Sequence, residues 1–302
     1  MKCHNIRNTS PPVPQSRHSK QQGLTLVELM IALAMGLLIA GGVVQLLISS
    51  QVTERLNSAI ASAQEGGRFI IHRLRTDLLM VGRYDALSPN LERSVDIVDE
   101  ASFVQNRPII LPGDFAGNAT LGSTQGGAGG NDNLVVGLQA RTDCRGYKLG
   151  YLDNEEFFVV NQYYLEDGSL KCRGFDGRVL RGLKAAEGNN GDAGFTLLDD
   201  VQSFQVLYGV SAVTSRGDNT GRPVNYVTAD RIADIRAQGG QVVAIRIAIL
   251  LAGDGEAHID PKPSFKLLNE DMITVPDNRL YKVFETTVTL RNTKNFTRSR
   301  RT

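Results

Sequence analysis

Tryptophan is absent from the 302-residue chain, only 6% of residues are aromatic, and there are three cysteines and four histidines. Few aromatics and no basic–aromatic cluster argue against a stacking surface for nucleic acid. The net charge of +1 hides an asymmetry: residues 1–23 hold Lys2, Arg7, Arg17 and Lys20 without an acid, so the other residues sum to −3. A mildly acidic body again disfavours a nucleic-acid partner, and none is expected. His4, His18, His72 and His258 lack ligand-like spacing and read as surface or packing residues. There is no G-x-S-x-G, no Walker A loop and no H-E-x-x-H. No catalytic residue, metal or cofactor is therefore expected, and the chain does not read as an enzyme.

Charge is also missing from a long internal stretch. Between Glu28 and Glu54 no residue is charged, and Leu29 to Ile48 is a run of mostly aliphatic residues. As a helix, about 20 such residues span about 30 Å, the hydrocarbon thickness of a bilayer. A cleaved secretory signal has a shorter apolar region followed by a small-residue cleavage site; here the run is longer and no such site stands out. The flanking positive charges place the N-terminus in the cytoplasm and the body outside. The cysteines fit that topology. Cys3 lies on the reducing side, and Cys144 and Cys172 are the pair in the exported body. An even count suits one disulfide, with two buried thiols as the other reading.

Past the apolar run, Val52, Leu56, Ile60, Ala63, Gly67, Ile71, Leu74, Leu78 and Val81 recur by threes and fours, which predicts an apolar stripe on a continuing helix. One helix from Leu24 to Met80 is expected, able to bend at Gly41-Gly42 and Gly66-Gly67. Residues 82–130 read as loop-rich. Strands follow at 133–139, at 157–174 as a hairpin through Asp167-Gly168, and at 201–210, 241–253 and 282–292; 227–238 reads as a short helix. Alternating strands predict an antiparallel sheet covered on one side by the helix stripe. The fold class is α+β. The oxygen-rich stretches 188–194 and 217–221 lack calcium-loop spacing and read as plain turns, and "RSRRT" at 298–302 reads as a solvated end.

A basic segment ending in Gly23, followed by "LTLVELMIAL", resembles the processed signal of type IV pilins and pseudopilins. "EGGRFIIHRLRTDLLMVGR" (65–83), "FFVVNQYYLEDGSLKCRG", "VQSFQVLYGV" and "FETTVTLRN" (284–292) are similar, in that order, to PilW-type minor pilins. The resemblance implies a type IV pilin-like fold in four parts: a cleaved leader at 1–23, a membrane and assembly helix at 24–48, its amphipathic continuation at 49–80, and a β-rich head at 81–302. It implies that a prepilin peptidase cuts between Gly23 and Leu24 and methylates the new N-terminus, although Leu24 stands where the family usually has phenylalanine. The protein would wait in lipid, single-pass in the inner membrane with its head in the periplasm, and then enter the pilus. Glu28 would pair with the amine of a neighbouring subunit, and Ala32, Gly36 and Ala40 form a small-xxx-small row for close helix approach. Implied partners are other minor pilins, the major pilin, the peptidase, the assembly platform and a tip adhesin. The implied function is priming of pilus assembly near the tip, in support of twitching motility and adhesion. A J-type pseudopilin of a type II secretion system is the alternative.

Overall fold

The computed structural model describes residues 23–212, 221–255 and 259–292. The chain forms two compact units, Met1–Gln51 and Val52–Thr302. Helix α1, Leu26–Leu79, runs through both. It contains no proline and runs unbroken through Gly41-Gly42 and Gly66-Gly67, where the sequence suggested bending. It ends at Leu79, and the positive φ of 73° at Gly82 lets the chain turn back and donate the Gly82 N–H to the Gly137 carbonyl at 2.9 Å.

The first unit contains the apolar half of α1, and its described residues, 23–51, are exposed throughout. This is the one helix among the described residues that is long and apolar enough to cross a membrane.

In the second unit α1 is followed by α2 (Ile97–Asn106), β1 (Leu134–Ala140), β2 (Phe157–Glu166), β3 (Ser169–Asp176), α3 (Gly177–Leu180), β4 (Phe195–Leu198), β5 (Val201–Val210), β6 (Asn225–Val227), α4 (Ile232–Ala237), β7 (Val242–Ala252), β8 (Ser264–Phe265), β9 (Ile273–Thr274) and β10 (Tyr281–Thr289). The strands make a sheet of order β1-β2-β3-β4, a second of order β10-β7-β5-β6, and a small β8-β9 pair. All three are antiparallel. The β2–β3 hairpin turns at Asp167 (φ 52°) and Gly168 (φ 73°), the two positive φ values of a tight two-residue turn. Residues 227–238 form a 3-10 turn at Ala229–Arg231 leading into α4.

Two expectations are corrected. The head has two four-stranded sheets, and the central strands β5 and β7 are buried on both faces rather than one. On β7, Ile245, Ile247, Ile249 and Leu251 join the core that contains Ile70, Leu74 and Leu78 of α1. Ala248, Leu250 and Ala252 pack instead with Leu267, Val275 and Tyr281. Phe158 and Val160 of β2 are covered similarly by Val104, Ile110 and Phe115. The segments that lack strand periodicity thus supply the outer cover, including α2, whose Asp96 cap accepts from Val98 N (2.9 Å) and Asp99 N (3.2 Å).

The buried stripe of α1 keeps Ala63, Gly67, Leu74 and Leu78 of the expected set and departs from it elsewhere. It runs Ala59, Ala63, Gly67, Ile70, Leu74 and Leu78, leaving Val52 exposed and Ile71 half-buried. Small residues lie where the sheet comes closest. A Cβ on Gly67 would overlap the Phe284 ring, and one on Gly253 would overlap the Ala59 carbonyl. Gly67 is a packing residue of the helix and not a hinge.

Candidate assembly segment and head

The chemistry of the first unit lies at its start. Gly23 and Leu24 are exposed coil ahead of the helix, and Gly23 has open space around it. Thr25 caps α1. Its Oγ1 accepts from the Glu28 N–H (3.3 Å), while Glu28 Oε2 accepts from the Thr25 N–H (3.2 Å) and from the Thr25 hydroxyl (3.1 Å). This reciprocal pairing is a capping box, and it satisfies backbone donors that the first helical turn leaves without intrahelical partners. The lone acid of the apolar segment thus has partners in its own chain, which the sequence reading had not assigned. The signal was the T-x-x-E spacing of Thr25 and Glu28. Ala32, Gly36 and Ala40 follow at four-residue intervals on one side of α1, exposed, with no atom near the Gly36 Cβ position.

In the head, β3 and the loop after β1 are joined by the Cys144–Cys172 disulfide (Cα–Cα 6.3 Å). Arg73 of α1 donates to the Cys144 carbonyl at 2.8 Å and to Asp77 at 3.1 Å. Asp77 also accepts from the buried Tyr163 hydroxyl of β2 at 2.9 Å. Burial and the Asp77 carboxylate both push the Tyr163 hydroxyl well above its ordinary range, so it stays a donor. One i,i+4 pair on the helix therefore holds the disulfide loop and the hairpin together.

Two buried arginines organise the rest. Arg145 binds Asp143 (2.7 Å) and donates to the carbonyls of Asn189 (2.6 Å), Gly174 (3.1 Å) and Asp192 (3.2 Å). The oxygen-rich turn at 188–194 therefore closes around a guanidinium. Of the 217–221 turn, residues 217–220 lie outside the described residues, as do His4, His18, His258 and the 298–302 tail. Arg178 is 0% exposed and holds Glu100 with Nε (2.8 Å) and Nη2 (2.9 Å), and also contacts Glu92. Burial disfavours its charge, but the Glu100 hydrogen bonds and charge outweigh it and raise its affinity for the proton. The sequence does not mark either arginine, because their partners lie 29 to 47 residues away for the Arg145 carbonyls and 78 to 86 away for Arg178.

Among the described residues no three His, Cys, Asp or Glu side chains converge as a metal-ligating group, and His72 is exposed on α1. The construction provides an exposed apolar helix with a capped carboxylate and a head tied together by ion pairs and a disulfide.

Comparison with known proteins addresses the same two regions. Residues 18–44 match the prokaryotic N-terminal methylation motif. Residues 156–292, from β2 to the end of β10, match the family described as type IV pilus-assembly protein W. No curated protein matches the chain. A type IV-like pilin from Thermus thermophilus is similar in structure at 15% identity and a TM-score of 0.31, over 56% of this chain and 82% of that one. The methylation motif covers the apolar start of α1, and the family match covers β2 to β10 of the head but not β1. The match over β2 to β10 and the methylation motif at the start of α1 together support a PilW-type type IV pilin.

Proposed function

We propose that this chain is a minor pilin of the type IV pilus that enters the filament without covalent linkage and helps prime its assembly near the tip, in support of twitching motility and adhesion. In this reading a prepilin peptidase in the inner membrane cuts between Gly23 and Leu24 and methylates the new amine. The unassembled subunit stays in lipid through the apolar part of α1, with its head in the periplasm. It then moves laterally into a bundle of like helices at the assembly platform, beside other minor pilins and the major pilin and beneath a tip adhesin. The subunit performs no chemistry of its own.

The observation that carries this reading is one carboxylate, Glu28, on an exposed apolar helix inside a methylation motif. In hydrocarbon an ionised carboxylate is costly unless it is paired. While the subunit is alone, the Thr25 N–H and hydroxyl supply hydrogen bonds to Glu28 but no positive charge. A neighbouring subunit's Leu24 amine supplies that charge, and the low dielectric strengthens the match and penalises a misaligned helix. Ala32, Gly36 and Ala40 let the helices approach closely.

The test is mass spectrometry of the membrane-extracted protein, with piliation scored in a Glu28→Ala strain. The expected results are a methylated N-terminus at Leu24 and a processed variant that fails to enter pili. An unprocessed chain, or normal pili with the variant incorporated, overturns the proposal. Normal pili with lost enzyme secretion in a deletion strain would indicate the type II secretion pseudopilin instead.

A further inference from the structure

The head buries six carboxylates: Glu100, Asp132, Asp143, Glu156, Asp176 and Glu270. Four of them face a basic side chain. Glu100 has Arg178, Asp143 has Arg145, Glu156 has Arg83 and Asp176 has Lys184. Asp132 and Glu270, 3% and 7% exposed, have none among the described residues. Buried charges are ordinarily paired with an opposite charge or bound to a metal. The two are linked through one short piece of chain. Asp132 Oδ1 accepts from the Gly126 N–H (2.8 Å), and Glu270 Oε1 accepts from the side-chain amide of the preceding residue, Gln125 (2.7 Å).

Neutral oxygens collect around the same turn. Gln205 is 1% exposed and donates to the Gly130 carbonyl at 2.7 Å, but its Oε1 is buried without a hydrogen-bond partner. Gln125 Oε1 is likewise buried and unpartnered. The turn is compact, because a Cβ on Gly130 would overlap the Gly126 carbonyl and one on Gly126 would overlap the Asn131 backbone. Carboxylates, amide oxygens and turn carbonyls are the ligand types of a hard cation, and Ca2+ takes about 6–8 such oxygens in flexible geometry. Mg2+ demands stricter octahedral geometry and gives up its water reluctantly.

We propose that Asp132 and Glu270, with the Gln125 and Gln205 side-chain oxygens and carbonyls of the glycine-rich turn 126–130, form a Ca2+ site that fastens this turn to β5 and to the 267–270 turn. The second attachment matters for the head as a whole. Asp132 already accepts from Val206 N (2.7 Å) and donates its own N–H to the Phe204 carbonyl (3.0 Å), joining the chain that leads into β1 to the edge of β5 in the other sheet. The ion would therefore brace the junction of the two sheets.

The test is calorimetric titration of the purified full chain in detergent with CaCl2 and with MgCl2 after chelator treatment. Thermal unfolding is followed in parallel at pH 7 and at pH 4. The expected Ca2+ Kd is about 10⁻⁴ to 10⁻³ M, the range of extracellular calcium modules, with Mg2+ at least about tenfold weaker. Ca2+ should raise the unfolding temperature more at pH 7 than at pH 4, because metal ligands must be deprotonated to bind. Glu270→Gln can keep the hydrogen bond to Gln125, and it should lower Ca2+ affinity at least about tenfold; Asp192→Asn, in the turn clamped by Arg145, should leave it unchanged. Absence of Ca2+ binding at millimolar concentration overturns the proposal. So does unchanged affinity in Glu270→Gln. If that variant does not fold, the wild-type titration decides, and an unfolding temperature that ignores Ca2+ at pH 7 overturns the proposal.

Discussion

The two halves of α1 handle hydrophobic residues in opposite ways. In the first unit, leucines, isoleucines and valines cover the helix on every side and all are exposed. In the second, one in every three or four residues is buried, and the buried set includes Ala59, Ala63 and Gly67. The first half depends on an apolar medium that it does not itself supply, either lipid or other helices. The second half carries its own partner, a core of β-strand side chains. The lesson is that the head is stabilised from within, whereas the apolar segment gains stability by what it joins. Mutations should separate the two: changes in the head appear as unfolding, and changes in the apolar segment leave the head's unfolding untouched.

The largest effect is expected at Arg178. Replacing it with methionine leaves Glu100 buried without its cation, and breaking a buried pair in this way costs about 3–5 kcal/mol. Urea unfolding of the Arg178→Met protein should show the loss, and adding Glu100→Leu to the same chain should restore a substantial part of it. A double variant no better than the single one would mean that Arg178 acts through packing alone. Removal of the disulfide by Cys144→Ser with Cys172→Ser comes next. The bridge closes a separation of 28 residues, for which the chain-entropy model gives about 3.5 kcal/mol. Its loss should lower the unfolding midpoint of oxidised protein and leave α1 processing intact.

A pair of glycines tests the contrast directly. Gly67→Val must displace the Phe284 ring and should destabilise the head by about 1–3 kcal/mol or more, since overpacking a core forces neighbours off their rotamers. Gly36→Val meets nothing and should leave the head's unfolding unchanged, while disturbing helix association where the small-residue row is used. Equal destabilisation of the head by both substitutions would break the distinction between the two units.

Much of this division was legible in the sequence, for physical reasons. An uninterrupted apolar run and a period near 3.6 specify a helix whatever it packs on, so α1 could be read almost to its ends. Alternation in β5, β7 and β10 and the Asp167-Gly168 turn were similarly local. The outer cover was not legible. Residues such as Val104, Phe115, Leu267 and Val275 come from irregular or short segments whose burial is decided by distant strands. The α1 stripe is legible at Ala63, Gly67, Leu74 and Leu78 but not at Ala59, because hydrophobicity favours Val52 whereas the closest approach of the sheet selects a small residue. At the candidate site, Glu28 and the cysteine pair stood out by their isolation. The arginine clamps did not, because nothing near Arg145 or Arg178 in the chain predicts burial.

The smallest effect, and the sharpest probe of the first unit, is expected at Thr25. Its hydroxyl accepts from the Glu28 N–H and donates to the Glu28 carboxylate, so Thr25→Ala removes the side-chain half of the capping box and leaves the Thr25 N–H bond to Oε2. Loss of such a cap costs about 1 kcal/mol, or about a fivefold change in the opening of the first turn. Hydrogen exchange in detergent micelles should show that acceleration at Glu28 and Leu29, and Thr25→Ser should restore the wild-type rate. The head should unfold as before, because no residue of Val52–Leu79 relies on the cap. If exchange at Glu28 were unchanged, the carboxylate would be held by something other than its own helix end, and the picture of an isolated acid waiting for a neighbour's charge would have to be replaced.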